Sequence, residues 1–227
     1  MKRFVSQEGL KLLACMTMFL DHYGAILAPW MISYRVIGRL SFPVFCFLLA
    51  EGVHRTRSPG KYALRLFIAA LISELPFDYA FFGKVFWYNQ NVMITLLLGL
   101  LAILAVERMP VVWLKPVAVL PFLLMADILE ADYGMHGVLL MLLFGLTDRF
   151  PWKHWIQFIG MVLIFADMRS SVLLTVFGVD ITLQMFGALA IVPIAFYSGK
   201  KHTHNKAIQW GFYLFYPAHL LILHFMR

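Results

Sequence analysis

Long apolar runs, separated by short polar stretches, fill this chain from residue 11 almost to residue 227. Nine stand out, at 11–28, 37–54, 61–79, 91–107, 112–129, 134–148, 152–168, 181–197 and 208–225. A membrane-crossing helix needs about 20 mostly apolar residues to span a hydrocarbon core about 30 Å thick. The pattern therefore predicts an all-α, polytopic integral membrane protein of about nine transmembrane helices, some slightly short. The connections leave no room for a separate soluble domain, so residues 1–227 read as a single domain. Composition agrees. The chain is 62% hydrophobic and 14% charged, against roughly 45–50% and 25% in soluble domains.

The net charge of +7 could signal nucleic acid in a soluble protein, but here its distribution sets orientation. Lys2, Arg3, Lys11, Arg55, Arg57, Lys61, Arg108, Arg149, Lys153, Lys200, Lys201 and Lys206 fall on one side of a nine-span arrangement. The opposite connections hold Arg35, Arg39, Lys84, Arg169 and Arg227. The positive-inside rule then predicts a cytoplasmic N-terminus and an external C-terminus, and no nucleic-acid partner is expected. Asp21, Glu74, Asp78, Asp127, Glu130, Asp132, Asp167 and Asp180 map to the outer half, which makes the inner mouth basic and the outer mouth acidic. Charges up to Lys11 leave no apolar run before it, so no cleavable signal is expected. Cys15 and Cys46 lie inside runs and read as free thiols packed as small apolar groups.

An ionisable residue inside the membrane is costly and usually faces a partner or a cavity. Four places carry such residues. Asp21-His22-Tyr23-Gly24 lies in the first run, with His22 about 16 Å beyond Lys11 at a helical rise of 1.5 Å per residue. An imidazole there suits a general base, or is a core histidine satisfied by a neighbouring helix. In the second run, Arg39 lies at a depth where it can pair with Asp21, and Pro43 can bend the helix around a cavity. Glu51, His54 and Arg55 close that run, with Tyr62 and Arg65 just beyond, as an anion site or a positive-inside loop. At the outer mouth, Glu74 and Asp78 are spaced i, i+4 across Pro76, ahead of Phe86-Trp87-Tyr88 and Asn89-Gln90-Asn91. The aromatics suit an interface belt or an acceptor platform. Finally Asp132 and His136 open the sixth run, while Tyr216 and His219 lie inside the ninth. His219 reads as an orienting group rather than the base. His202-Thr203-His204 lacks a convincing ligand set, and no metal is expected.

These segments, in this order, resemble the TraX family of bacterial membrane acetyltransferases, whose naming member N-acetylates pilin. The matching stretches are Leu10-Lys11 through His22, Ile37-Gly38-Arg39-Leu40-Ser41-Phe42-Pro43-Val44-Phe45, Glu51-Gly52 to Thr56, and Lys61-Tyr62 to Arg65. They continue through Ser73-Glu74-Leu75-Pro76-Phe77-Asp78, Gln90-Asn91 to Thr95, Asp132-Tyr133-Gly134, and Phe215-Tyr216-Pro217-Ala218-His219-Leu220. The first run is also similar to the first helix of the wider group of transmembrane acyltransferases. The resemblance implies a multi-pass protein of the bacterial cytoplasmic (inner) membrane that takes acetyl-CoA from the cytoplasm. It implies an amine acceptor, such as the N-terminus of pilin or another peptide, or a hydroxyl, at the outer side. His22 would be the base, with Asp21 orienting it and Arg39 fixing that carboxylate or an oxyanion. Glu51, His54, Arg55, Tyr62 and Arg65 would hold coenzyme A. Glu74, Asp78, Gln90, Asn91, Asp132, His136, Tyr216 and His219 would face the acceptor. The rival classes are a transporter or channel, whose broken helices also mark substrate paths, and a non-catalytic assembly factor that binds a membrane peptide.

Overall fold

The computed structural model describes residues 4–201 and 206–227, with side chains in the last segment from Trp210 onward. Lys2, Arg3, His202, Thr203, His204 and the Lys206 side chain lie outside the described residues. Helix α1 (Gln7–Ile26) starts where Ser6 Oγ accepts the Gly9 N–H at 3.1 Å, an N-cap that satisfies one of the orphan donors of the first turn. Helices α2 (Ile32–Gly38) and α3 (Ser41–Arg55) are separated by a turn at Arg39-Leu40. Helix α4 (Pro59–Phe82) begins on proline, where a missing N–H costs nothing, and ends at Gly83 with φ 70°. Helix α5 (Val92–Arg108) is capped by Asn91, whose Oδ1 accepts the Met93 N–H at 3.0 Å. A short 3₁₀ turn leads into α6 (Lys115–Ile128), followed by α7 (Gly134–Thr147) and α8 (Lys153–Asp167). Strands β1 (Val172–Val176) and β2 (Val179–Thr182) pair antiparallel. A 3₁₀ segment, Leu183–Ala190, runs into α9 (Ile191–Ala195), and α10 (Lys206–Met226) closes the chain.

Among the described residues, eight of the nine apolar runs fall mainly on α-helix, and the 181–197 run passes from the end of β2 through the 3₁₀ segment into α9, so the fold is predominantly helical. One helical stretch, the 24 residues Ile32–Arg55, meets the length and hydropathy of a membrane span by itself. Three details differ from the sequence expectation. The second run breaks at Arg39-Leu40, not at Pro43, which sits in the first turn of α3. Pro43 has no N–H to offer the Arg39 carbonyl, and that oxygen lies 3.1 Å from the place a Cβ on Gly187 would take. Pro76, by contrast, leaves α4 continuous, so Glu74 and Asp78 do share a helical face. The connection expected at 169–180 contains the β-hairpin, because Val172, Thr175 and Val176 favour extended backbone ahead of a Phe177-Gly178 turn with both φ positive.

The chain is organised as two compact units, Met1–Phe45 with Pro151–Arg227 and Cys46–Phe150. In the first, α1 packs on α2 and α10, and the Leu183–Ala190 segment packs on α2 and α8. The buried face of α1 is Leu10, Ala14, Cys15, Thr17, Met18, Asp21 and Gly24, the spacing of one helical stripe. In the second unit α5 packs against α4, α6 and α7. Its burial is nearly all-round, as a helix with three neighbours requires. Outward, α4 presents Leu64, Phe67, Ile68, Leu71, Ile72, Leu75, Tyr79 and Phe82, an uninterrupted exposed apolar stripe.

Candidate functional site

Within the first unit, two glycines let α1 and α2 approach until their backbones nearly touch. A Cβ on Gly38 would lie 2.2 Å from the Cβ of Asp21, and one on Gly24 would lie 2.8 Å from the Cβ of Tyr34. That closeness brings Asp21 to two guanidinium groups. Arg35 Nη1 donates to Asp21 Oδ2 at 2.7 Å and to the Asp21 carbonyl at 3.1 Å. Arg39 Nη2 donates to the same carboxylate, while its Nη1 donates to Gln184 Oε1 at 2.9 Å. Asp21, Arg39 and Gln184 are all at least nine-tenths buried. A buried carboxylate is tolerable only when its oxygens are met by good donors, and here each has one. The Arg39–Asp21 pairing is the one expected from sequence depth. Arg35 and Gln184 were not expected. Arg35 stands one helical turn before Arg39, an i, i+4 relation that could have pointed to it, whereas nothing in the sequence points to Gln184.

His22 is hydrogen-bonded to His219, while the Asp21 carboxylate is met by the arginines. His22 Nδ1 and His219 Nε2 are 2.7 Å apart, with the two rings only 8° from parallel. His219 Nδ1 lies 2.7 Å from the Phe215 carbonyl. A carbonyl can only accept, so His219 Nδ1 must carry the hydrogen, and in the neutral ring its Nε2 is then an acceptor. His22 Nδ1 must therefore donate, which makes Nε2 the basic nitrogen of His22. One backbone oxygen thus fixes the tautomers of two rings. Tyr216 completes the cluster, its ring 6.3 Å from His22 and 5.7 Å from His219, with only 1% of its surface exposed. Phe215 stacks on His219 from within α10.

The second unit holds the remaining sequence candidates in two groups. At the turn between α3 and α4, Arg55 Nη2 meets Glu51 Oε1 at 2.8 Å, and His54 Nε2 meets Glu107 Oε1 at 3.1 Å. The Tyr62 hydroxyl lies against Gly52, where a Cβ would sit 2.8 Å from it, and Arg65 stands over the Tyr62 ring. Glu51 is half-buried, but Arg55 and Arg65 are exposed, because long cationic side chains at a helix end reach outward. Glu107 is a partner that sequence reasoning passed over.

At the other group, Asn91 Nδ2 donates to Glu74 and to the Ala70 carbonyl, and Asp78 Oδ2 accepts the Phe86 N–H at 2.9 Å. Gln90 and Asp132 are joined through their backbones, the Asp132 N–H donating to the Gln90 carbonyl at 2.9 Å. The Asp132 carbonyl accepts from Thr95 Oγ1. His136 stands in the first turn of α7. Among the described residues, Glu74 Oε1 and Asp78 Oδ1 are buried with no hydrogen-bond partner. Two buried acceptors on one face are a local demand for a donor. The structure therefore divides the residues expected to face an acceptor: Tyr216 and His219 stand with His22, and the other six stand in the second unit. Among the described residues no group of three or more His, Cys, Asp and Glu side chains is placed to hold a metal.

Packed helices, several with exposed apolar stripes, make this a predominantly helical protein whose α1 and α10 carry a hydrogen-bonded histidine pair. The chain belongs to the TraX protein family, whose model matches residues 6–227. It is similar to the Probable fimbrial assembly protein FimC, serogroup H1, of Dichelobacter nodosus, at 30% identity covering 94% of this chain and 92% of that one. It is also similar to an uncharacterized protein of Rickettsia prowazekii (strain Madrid E), at 33% identity covering 41% of this chain and 34% of that protein. No solved structure matches the chain.

Proposed function

We propose that the protein is a multi-pass acetyltransferase of the bacterial cytoplasmic membrane, with its N-terminus inside and its C-terminus outside. It uses acetyl-CoA to acetylate an amine, such as the N-terminus of a pilus subunit, at the outer side. The observation that carries the proposal is the His22–His219 pair, because it presents a basic Nε2 on His22 with its tautomer fixed. In this reading His22 Nε2 takes a proton from the acceptor amine as the nitrogen attacks the thioester carbonyl. The C–S bond then breaks, and the proton passes to the departing thiolate of coenzyme A. Arg39, held by Asp21 and Gln184, supports the positive field in which the oxyanion develops. Arg55, Tyr62 and Arg65 supply the cations and the hydroxyl that suit phosphates, with Glu51 and His54 holding the turn in place. Glu74 and Asp78 suit a cationic amine, with Gln90, Asn91, Asp132 and His136 around them.

The membrane part of the proposal rests on separate support. A soluble protein rarely exposes contiguous apolar patches beyond a few hundred Å², and the stripe on α4 has counterparts at Leu120, Leu124 and Ile128 of α6 and at Trp155, Ile159 and Leu163 of α8. Resistance of the expressed protein to alkaline carbonate extraction from membranes is the expected result.

The name of the Dichelobacter relative favours a second reading, a pilus assembly factor that binds a membrane peptide without chemistry. Purified protein incubated with radiolabelled acetyl-CoA and peptide amines or hydroxyl compounds separates the two. Labelled acceptor is expected. A peptide that binds without ever gaining label selects the assembly factor, and flux of a solute without covalent product selects a transporter.

A further inference from the structure

In the first unit an apolar groove of about 530 Å³ runs between α1 and α10. Leu12, Cys15, Met16 and Phe19 line it from one helix, and Gly211 and Phe215 from the other. It is open at residue 211, where a Cβ would meet nothing within 4 Å. Leu12 and Met16 stand on its rim, 56% and 59% exposed. One end is marked by a cation, since Lys11 Nζ sits 5.2 Å from the centroid of the Phe212 ring. At the other end Phe19 and Phe215 lie against the His219 ring. From Lys11 to Phe19 is eight residues, roughly 12 Å of helix, comparable with the half-thickness, about 15 Å, of a hydrocarbon core.

A pantetheine arm is a poor occupant, because its amides would find no hydrogen-bond partner in this lining and would lose their water. A hydrocarbon chain meets no such penalty. We infer that the groove holds one acyl chain of an anionic phospholipid, with the phosphate at Lys11 and the chain end against the two phenylalanines beside His219. The inference rests on the membrane reading of α1 and is independent of acetyl transfer.

The test counts bound lipid. Detergent-purified, delipidated protein is mixed with equal amounts of dioleoylphosphatidylglycerol and dioleoylphosphatidylcholine, and retained lipid is measured by native mass spectrometry. Wild type is expected to keep one phosphatidylglycerol, favoured about fivefold over the zwitterionic lipid by a single lysine at the membrane surface. Lys11→Gln should retain the two lipids equally. Gly211→Leu, which fills open space, and Met16→Trp, which fills the groove from the other helix, should each retain neither while keeping the wild-type melting temperature. Equal retention of both lipids by wild type overturns the inference, as does wild-type retention in both filled variants. Neither result touches the acetyltransferase reading, which labelled product decides, and carbonate extraction tests the membrane reading by itself.

Discussion

A single backbone oxygen, that of Phe215, sets the proton arrangement of the histidine pair, so in the proposed reaction His219 would act through His22. The expected signatures of the two residues differ. If His22 is the base of the proposed transfer, His22→Ala should lower the rate by at least about 10²-fold, the lower end for general acid–base catalysis. His219→Ala should fall less, because His22 keeps its basic nitrogen but loses the group that holds its tautomer. His219→Gln should recover part of that loss, since its side-chain carbonyl can accept from His22 Nδ1–H as His219 Nε2 does. Single-turnover transfer with both substrates saturating reads chemistry apart from binding. A near-normal rate in His22→Ala together with a lost rate in His219→Ala would move the base to α10. The sequence made both histidines visible as polar residues inside apolar runs. It could not show that they touch, because 197 residues separate them and only the packing of α10 on α1 joins them.

Two elements are held by approach distances that their sequences permit without announcing. The α1–α2 contact needs the absence of a side chain at residue 38, where a methyl group would lie 2.7 Å from the Asp21 Cα itself. Backbone cannot yield as a flexible side chain can. Gly38→Ala should therefore cost about 3 kcal/mol, the upper end for overpacking, with Asp21 displaced from its arginines. Gly60→Ala is the control, because a Cβ there meets nothing within 4 Å, and it should be neutral or stabilising by about 0.4–1 kcal/mol. Thermal unfolding in detergent compares them, and equal melting temperatures would remove Gly38 from the contact. The turn between α3 and α4 makes a different prediction. Coenzyme A should protect the folded protein from thermal unfolding by mass action. Arg55→Ala, Tyr62→Phe and Arg65→Ala should each weaken that protection more than they slow transfer at saturation. Undiminished protection in all three would free this turn from the donor site.

For the whole molecule the sharp expectation is topology. A reporter active only outside the cytoplasm should work when fused at the C-terminus or inserted at the Phe177-Gly178 turn of the hairpin, and should fail at 57–60 between α3 and α4. Activity at 57–60 would overturn the nine-span arrangement. The sequence alone announced a predominantly helical chain, because apolar run length is a local property read along the chain without knowing its neighbours. It also determined which residues were out of place, since Asp21, His22, Arg39, Glu74 and His219 are conspicuous against apolar surroundings wherever they point. It missed the β-hairpin, because a five-residue stretch with three β-branched residues beside a polar one reads equally well as a loop edge. Apart from the Arg39–Asp21 pair, which depth along the runs already suggested, partner choice belonged to the tertiary structure. The assignment of Arg35 to Asp21, of Gln184 to Arg39, of Glu107 to His54, and of His22 to His219 depends on which helix faces meet and how closely. Those faces are set by packing and by glycines that allow contact, and that information is distributed over the fold instead of being written beside any one of the residues it joins.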